Sequence, residues 1–89
     1  MSFFAVIALK DGVAAVDEAV GKIPADRCYK LEPGKWIVNS DASTARELSI
    51  ELGLREKQTH LVLSLRGYSG RAQPDLWEWL AAQSEKING

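Results

Sequence analysis

Residues 27–54 constrain the fold of this chain more than any other stretch. Two short runs that mix apolar and polar residues, 27–32 and 35–40, are separated by Pro33 and Gly34. Proline fixes a negative φ and glycine accepts a positive one, so this pair predicts a type II turn or a longer loop built on a type I turn. The stretch therefore predicts two antiparallel strands joined by a turn, with a register that stays open by one residue.

A helix is predicted directly after this hairpin. Small polar residues that commonly cap helices follow the second strand, and Thr44 with Glu47 has the spacing of a capping box. Apolar residues then recur at helical spacing from Ala45 and Leu48 onward. Gly53 supplies the left-handed residue with which many helices end.

The segment before the hairpin predicts a strand and a helix. Residues 3–9 are apolar at odd and even positions alike, which is typical of a strand that is covered on both faces. We therefore expect this strand at the centre of the sheet. The next apolar residues recur at helical spacing, and Pro24 ends that helix. They are Val13, Val16, Val20 and Ile23.

The segment after the second helix predicts an edge strand and a long helix. Residues 60–66 alternate cleanly, with Leu61, Leu63 and Leu65 expected to face inward and the residues between them to face outward. Pro74 then begins a helix that is predicted to continue through Ile87.

The order strand, helix, strand, strand, helix, strand, helix predicts an α+β fold. Right-handed crossovers in its two βαβ units give a ferredoxin-like βαββαβ antiparallel sheet with an additional C-terminal helix. The first and third strands are central, and the first two helices lie on one face. Eighty-nine residues make a single domain, residues 1–89.

Two helices cover only one face of such a sheet, although its central strands carry apolar residues on both sides. Large apolar patches on a soluble protein commonly mark an interface, so a further layer is expected. Two arrangements supply it: the last helix folds back on its own sheet, or a second copy packs there in a two-fold dimer. The dimer is favoured, with an interface built from Phe4, Val6, Ile37, Trp77 and Trp79.

Composition excludes several classes of protein. Eleven Lys and Arg against 12 Asp and Glu give a net charge of -1, which provides no general attraction for nucleic acid. Cys28 is the single cysteine, so an internal disulfide and a cysteine-cluster zinc site are excluded. No signal peptide or membrane-spanning stretch is recognised, which predicts a cytoplasmic protein with no membrane partner.

The most informative candidate binding residues are Arg66, Tyr68 and Arg71. They lie among glycines just before the helix that Pro74 begins. Backbone amides at glycines and a helix N-terminus attract anions, and an aromatic ring with arginines is suited to stacking on a base. The competing interpretation, an ordinary solvated loop, is favoured because the stretch matches no phosphate-binding motif.

Metal and catalytic chemistry have weaker support. Asp11, Asp26 and Asp41 lie at predicted element ends, where carboxylates can gather around a divalent ion, but turn and cap roles explain all three. His60 is expected to be a solvent-facing residue and Cys28 a packed or edge residue. No catalytic residue, metal or cofactor is predicted.

One family resemblance covers most of the chain. The succession of residues 35–41, the helix with Ala45 and Leu48, and the apolar strand of residues 61–65 resembles the small ferredoxin-like proteins grouped around the CRISPR adaptation subunit and their SinR-type relatives. The resemblance implies a homodimer with sheets packed face to face. It also implies an aspartate at the end of the first strand in members with metal-dependent nuclease activity. Leu9 stands at about that place here, with Asp11 in the turn beyond, which argues against nuclease activity.

Three hypotheses of function follow. The first is a homodimeric, non-enzymatic structural or interaction protein that touches nucleic acid through the local arginine and tyrosine patch. The second is a domain that binds a small anionic ligand between the sheet and the last helix. The third and least favoured is a metal-dependent nuclease that uses Asp11 or Asp41.

Overall fold

The computed structural model describes residues 2–54, 59–67 and 74–88, and the side chains of residues 85–88 are not part of the description. A short 3₁₀ turn, Ala25–Arg27, follows the first helix. The strands and helices are β1 (Ser2–Ala8), α1 (Val13–Gly21), β2 (Cys28–Glu32), β3 (Lys35–Ser40), α2 (Ala45–Glu51), β4 (His60–Leu65) and α3 (Pro74–Asn88).

The four strands form one antiparallel sheet in the order β2-β3-β1-β4. A mixed α/β architecture with an antiparallel sheet and three helices is therefore confirmed. β1 and β3 occupy the centre of the sheet. Their apolar residues on both faces predict this position, because water is excluded from both faces of a strand only where other layers cover them. Ala5 pairs with Ile37 of β3 and with Leu63 of β4, which puts these three side chains on one face.

The turn between β2 and β3 depends on its glycine. Gly34 has a φ of +78°, which agrees with the type II turn among the two predicted. A Cβ at this position would also lie 2.9 Å from the Cβ of Ala8, so the site excludes a side chain. The pairing of β2 with β3 shifts between Lys30 and Glu32, at the register that the sequence leaves open.

The first two helices cover one face of the sheet, which we call the helical face. Phe4, Val6 and Val38 of the central strands are buried there beneath Val16 of α1 and Leu48 of α2. Val13, which the periodicity predicts to be part of the buried stripe, is 37% exposed. It is the first residue of α1, and the helix ends at Gly21 rather than continuing to Ile23.

The predicted cap begins α2. The Thr44 side chain accepts a hydrogen bond from the backbone N–H of Glu47 at 3.1 Å. The Glu47 carboxylate in turn accepts from the N–H of Ser43 at 2.6 Å, one residue earlier than in the standard capping box. These two bonds satisfy backbone donors at the helix start that would otherwise lack partners.

The opposite face, here the α3 face, is covered by the last helix of the same chain. Leu76 and Leu80 of α3 are buried against Phe3, and Tyr29, Leu31, Ile37, Leu65, Trp77 and Trp79 pack around them. The Asn39 side chain donates to Gln83 Oε1 at 2.7 Å, which ties β3 to α3. On this part of the α3 face, the last helix therefore folds back on its own sheet, which is one of the two arrangements that the sequence predicts.

Two residues expected at an interface between copies lie elsewhere. Phe4 and Val6 point to the helical face and are fully buried beneath α1 and α2, whereas Phe3 and Ala5 point to the α3 face. Side chains alternate with a period of two along a strand, so assigning the wrong phase exchanges every residue between the two faces. Ile37 does lie on the α3 face, as predicted.

Candidate functional site

The α3 face is only partly covered. Leu65 of β4 packs beside α3, but Leu61 and Leu63, farther from the helix on the same face, are each 45% exposed. Their strand partners are Ile7 and Ala5 of β1. We call Leu61 and Leu63 the open leucine pair, because they are large apolar side chains that no helix of the described chain covers.

The sequence predicts the alternation in β4 correctly, and Leu65 packs inward as predicted, but Leu61 and Leu63, which are also predicted to face inward, are exposed. Val62 packs against the core of the helical face, with His60 and Ser64 on the same side of the strand. The leucines point to the α3 face, where the described side chains of α3 pack near Leu65 and leave Leu61 and Leu63 exposed. The alternation does not reveal this because both sides of β4 carry apolar residues.

β4 is an edge strand in the described part of the chain, and its sequence, His-Leu-Val-Leu-Ser-Leu, has no Lys, Glu, Asp or Pro. The other edge differs. β2 carries Lys30 and Glu32 and has an irregular register between them. Charged residues and bulges on an edge strand discourage another chain from pairing with it. The β2 edge is therefore protected against strand pairing, whereas the side chains of β4 present no such barrier.

A histidine and a serine meet between β4 and α2. His60 Nε2 lies 2.8 Å from Ser49 Oγ, and the Ser49 hydroxyl donates to the carbonyl oxygen of Leu54 at 3.2 Å. Which of the two groups donates in the Ser49–His60 hydrogen bond depends on the tautomer of the His60 ring. The pair joins α2 to β4, and His60 is half-buried rather than solvent-facing as predicted.

Asp17 of α1 joins the helix to the β2–β3 hairpin. Its Oδ1 accepts from the backbone N–H of Gly34 and from Nε1 of Trp36, each at 2.8 Å, and its Oδ2 lies 3.5 Å from Lys30 Nζ. Burial raises the pKa of Asp17, but these hydrogen bonds and the charge of Lys30 outweigh it and lower the pKa overall. Asp17 lies outside the apolar stripe that the sequence predicts for this helix, so the sequence gives no sign of this contact.

The candidate carboxylates and the cysteine do not form a site. Asp11 and Asp41 are exposed, while the backbone carbonyl of Asp26 accepts hydrogen bonds from Trp79 and Gln83. Among the described residues, no three side chains of metal-binding type come together. Burial, followed by the nearby charge of Asp26, raises the pKa of Cys28 and disfavours its thiolate.

The predicted arginine and tyrosine patch is described only in part. Arg66 is exposed just after β4. Tyr68 and Arg71 lie outside the described residues. Contact with nucleic acid therefore stays a prediction.

A cleft of about 550 Å³ lies between α1 and α2 on the helical face. Ala19 and Ile23 line it from the side of α1, and Leu48 and Leu52 line it from the side of α2. Charged residues of both signs surround it: Lys22, Arg27, Asp41 and Glu51. The sequence predicts a cleft between the sheet and the last helix, whereas this one lies on the opposite face. Its size depends on how far apart two short helices lie, which periodicity does not indicate.

The chain matches no protein-family model, and comparisons with curated proteins and with solved structures give no significant match. The resemblance to the CRISPR adaptation family accordingly stays a prediction. Among the described helices, none combines the length and the apolar character that crossing a membrane requires.

Proposed function

We propose that this chain is a non-catalytic interaction domain of ferredoxin-like fold that self-associates through the edge of β4. The observation that carries the proposal is the open leucine pair, Leu61 and Leu63, on an edge strand without charges. The occupant of this surface is a second copy of the same chain.

The fold assignment rests on strand order and helix placement. The order β2-β3-β1-β4, with β1 and β3 central, is the order expected when two βαβ units with right-handed crossovers interleave. The crossover helices α1 and α2 share one face, since residues of both belong to one buried cluster. α3 is the additional helix on the other face.

An edge strand is well suited to pairing with its own copy. Two β4 strands related by a two-fold axis run antiparallel, so each supplies the backbone donors and acceptors that the other lacks. The pairing would extend the sheet to eight strands. It would also bring the leucine pairs of both copies together on the α3 face and remove their apolar surface from water.

This arrangement differs from the face-to-face dimer that the family resemblance implies. α3 occupies the part of the sheet around Phe3 and Ile37, so a second sheet would have to displace Leu76 and Leu80 from their buried positions. Edge pairing leaves that packing intact. It uses the apolar surface that α3 does not cover.

Sedimentation velocity over a concentration series tests the proposal. We expect a reversible monomer–dimer equilibrium for the unmodified chain and a monomer for Leu63→Lys, because a charge on an edge strand opposes pairing. Ile50→Lys is the matched control, since Ile50 is 46% exposed but lies on α2. The proposal fails if the unmodified chain stays monomeric, or if Ile50→Lys disrupts the dimer as much as Leu63→Lys does.

A further inference from the structure

We propose that the cleft between α1 and α2 binds a small zwitterion with an apolar body, of the class of an apolar dipeptide with free termini. This site is separate from the β4 edge. The proposal therefore stands or falls independently of self-association.

The size and inner surface of the cleft suit a small organic molecule. Its volume of about 550 Å³ falls within the range of about 300–1,000 Å³ that is typical of small-molecule sites. Its inner lining includes Val38 of the sheet and Leu48 of α2, both of them core residues, with Ile23 and Leu52 at its sides. An apolar body placed there would gain contacts with these side chains and lose water from its surface.

The charges around the cleft are balanced in sign and come from different segments. Lys22 and Arg27 follow α1, whereas Asp41 follows β3 and Glu51 ends α2. In the part of the chain that the structure describes, the ion pairs are Lys30 with Asp17 and Lys35 with Glu32. None of the four charges around the cleft takes part in them, so all four are available to a ligand.

A balanced set of charges selects against ligands of a single sign. A dianion would gain from the two cationic groups but would lie near two carboxylates, and a dication would meet the reverse problem. A molecule that carries one ammonium group and one carboxylate matches both pairs at once. Charge-assisted hydrogen bonds to each end are the stronger kind in proteins.

Calorimetric titration of the full chain with L-leucyl-L-leucine tests the proposal. Two modified probes remove one charge each: the N-acetyl form lacks the ammonium group and the C-terminal amide lacks the carboxylate. We expect the zwitterion to bind and each modified form to bind about tenfold more weakly, since hydrogen bonds to charged groups contribute most. Absence of binding by the zwitterion, or equal binding by all three probes, would overturn the proposal.

Variants then assign the ends of the ligand. Arg27→Gln should weaken the zwitterion about tenfold and leave the affinity for the C-terminal amide nearly unchanged, because the lost partner is the carboxylate. Glu51→Gln should likewise weaken the zwitterion about tenfold and leave the affinity for the N-acetyl form nearly unchanged, because the lost partner is the ammonium group. Arg46→Gln and Asp11→Asn, which change exposed charges outside the cleft, are the matched controls. Equal losses in the controls would contradict the assignment. If a variant fails to fold, the three-probe comparison on the unmodified chain still decides the matter.

Discussion

Truncation of the open leucine pair should weaken self-association by an amount that follows from its exposure. Complete burial of a leucine side chain contributes about 1.5–3 kcal/mol relative to leaving it exposed. Leu61 and Leu63 are each 45% exposed. Burying that remaining fraction therefore contributes about 0.7–1.4 kcal/mol per side chain, most of which alanine loses.

A two-fold dimer contains four such side chains. The double variant Leu61→Ala, Leu63→Ala should therefore lose about 2–4 kcal/mol of association free energy, which raises the dissociation constant about 30- to 1,000-fold. Sedimentation equilibrium measures that constant directly. Circular dichroism melting checks that the monomer stays folded, since the leucines also contribute their buried part to the sheet.

Ile50→Ala is the control for this experiment because it truncates a side chain of nearly equal exposure, 46%, on α2. The dissociation constant should stay within about threefold of the unmodified value, which is under 1 kcal/mol. If the leucine variant changes the constant no more than this control, the open leucine pair does not form the interface. The reasoning is then refuted even if the chain is dimeric.

Three further predictions concern the fold itself. Thr44→Ala should lower the free energy of unfolding in urea by about 1 kcal/mol, because Thr44 caps α2, and Thr44→Ser should restore most of it. Leu80→Ala should cost about 2–5 kcal/mol in the same assay, since this buried side chain holds α3 to the sheet; a loss below about 1 kcal/mol would contradict that packing. Asp17 has a lowered pKa, so its contribution is complete above the ordinary aspartate pKa and is lost as pH falls through the lowered value. The stability difference between the unmodified chain and Asp17→Asn should accordingly shrink as pH falls below about 4 in pH-dependent urea unfolding, and a constant difference would show that the charge of Asp17 does not matter.

Local sequence signals predict the elements of this fold well. The Pro33–Gly34 turn, the cap at Thr44 and the two-sided apolar character of β1 each depend on neighbouring residues or on one backbone conformation. The local structure that these residues favour is also present in the folded chain, because tertiary packing reinforces it rather than competing with it. They also suffice to indicate that β1 and β3 are the central strands.

The direction of side chains is harder to predict when both faces of a strand are apolar. Phe4 and Val6 were expected at an interface but lie under α1 and α2, and the leucines of β4 point to the α3 face. In each strand the sequence correctly predicts that side chains alternate between the two faces. It leaves undetermined which set of side chains points to which face. The phase is set by which helix covers which face, and that depends on contacts between residues far apart in sequence.

Contacts that depend on a single distant partner have no sequence signal at all. Asp17 looks like any acidic residue on the solvated side of a helix, yet it accepts hydrogen bonds from Gly34 and Trp36. His60 and Ser49 likewise meet only because β4 and α2 are adjacent. The cleft between α1 and α2 is of the same kind, since its volume is set by the spacing of two short helices.

The dimensions of helices and sheets explain why β4 is the exposed edge. Four strands spaced about 4.8 Å apart span roughly 14–19 Å, whereas one helix with its side chains is about 10–12 Å wide, so a single helix leaves part of such a face uncovered. Among the described residues, two helices cover the helical face and α3 alone covers the opposite face. α3 is held toward β2 and β3 by the Tyr29 hydroxyl hydrogen bond to Asp75 and by the Asn39–Gln83 pair. The uncovered strip therefore falls on β4. The apolar surface available for a partner follows from the number of helices and from the two polar contacts that position the last one.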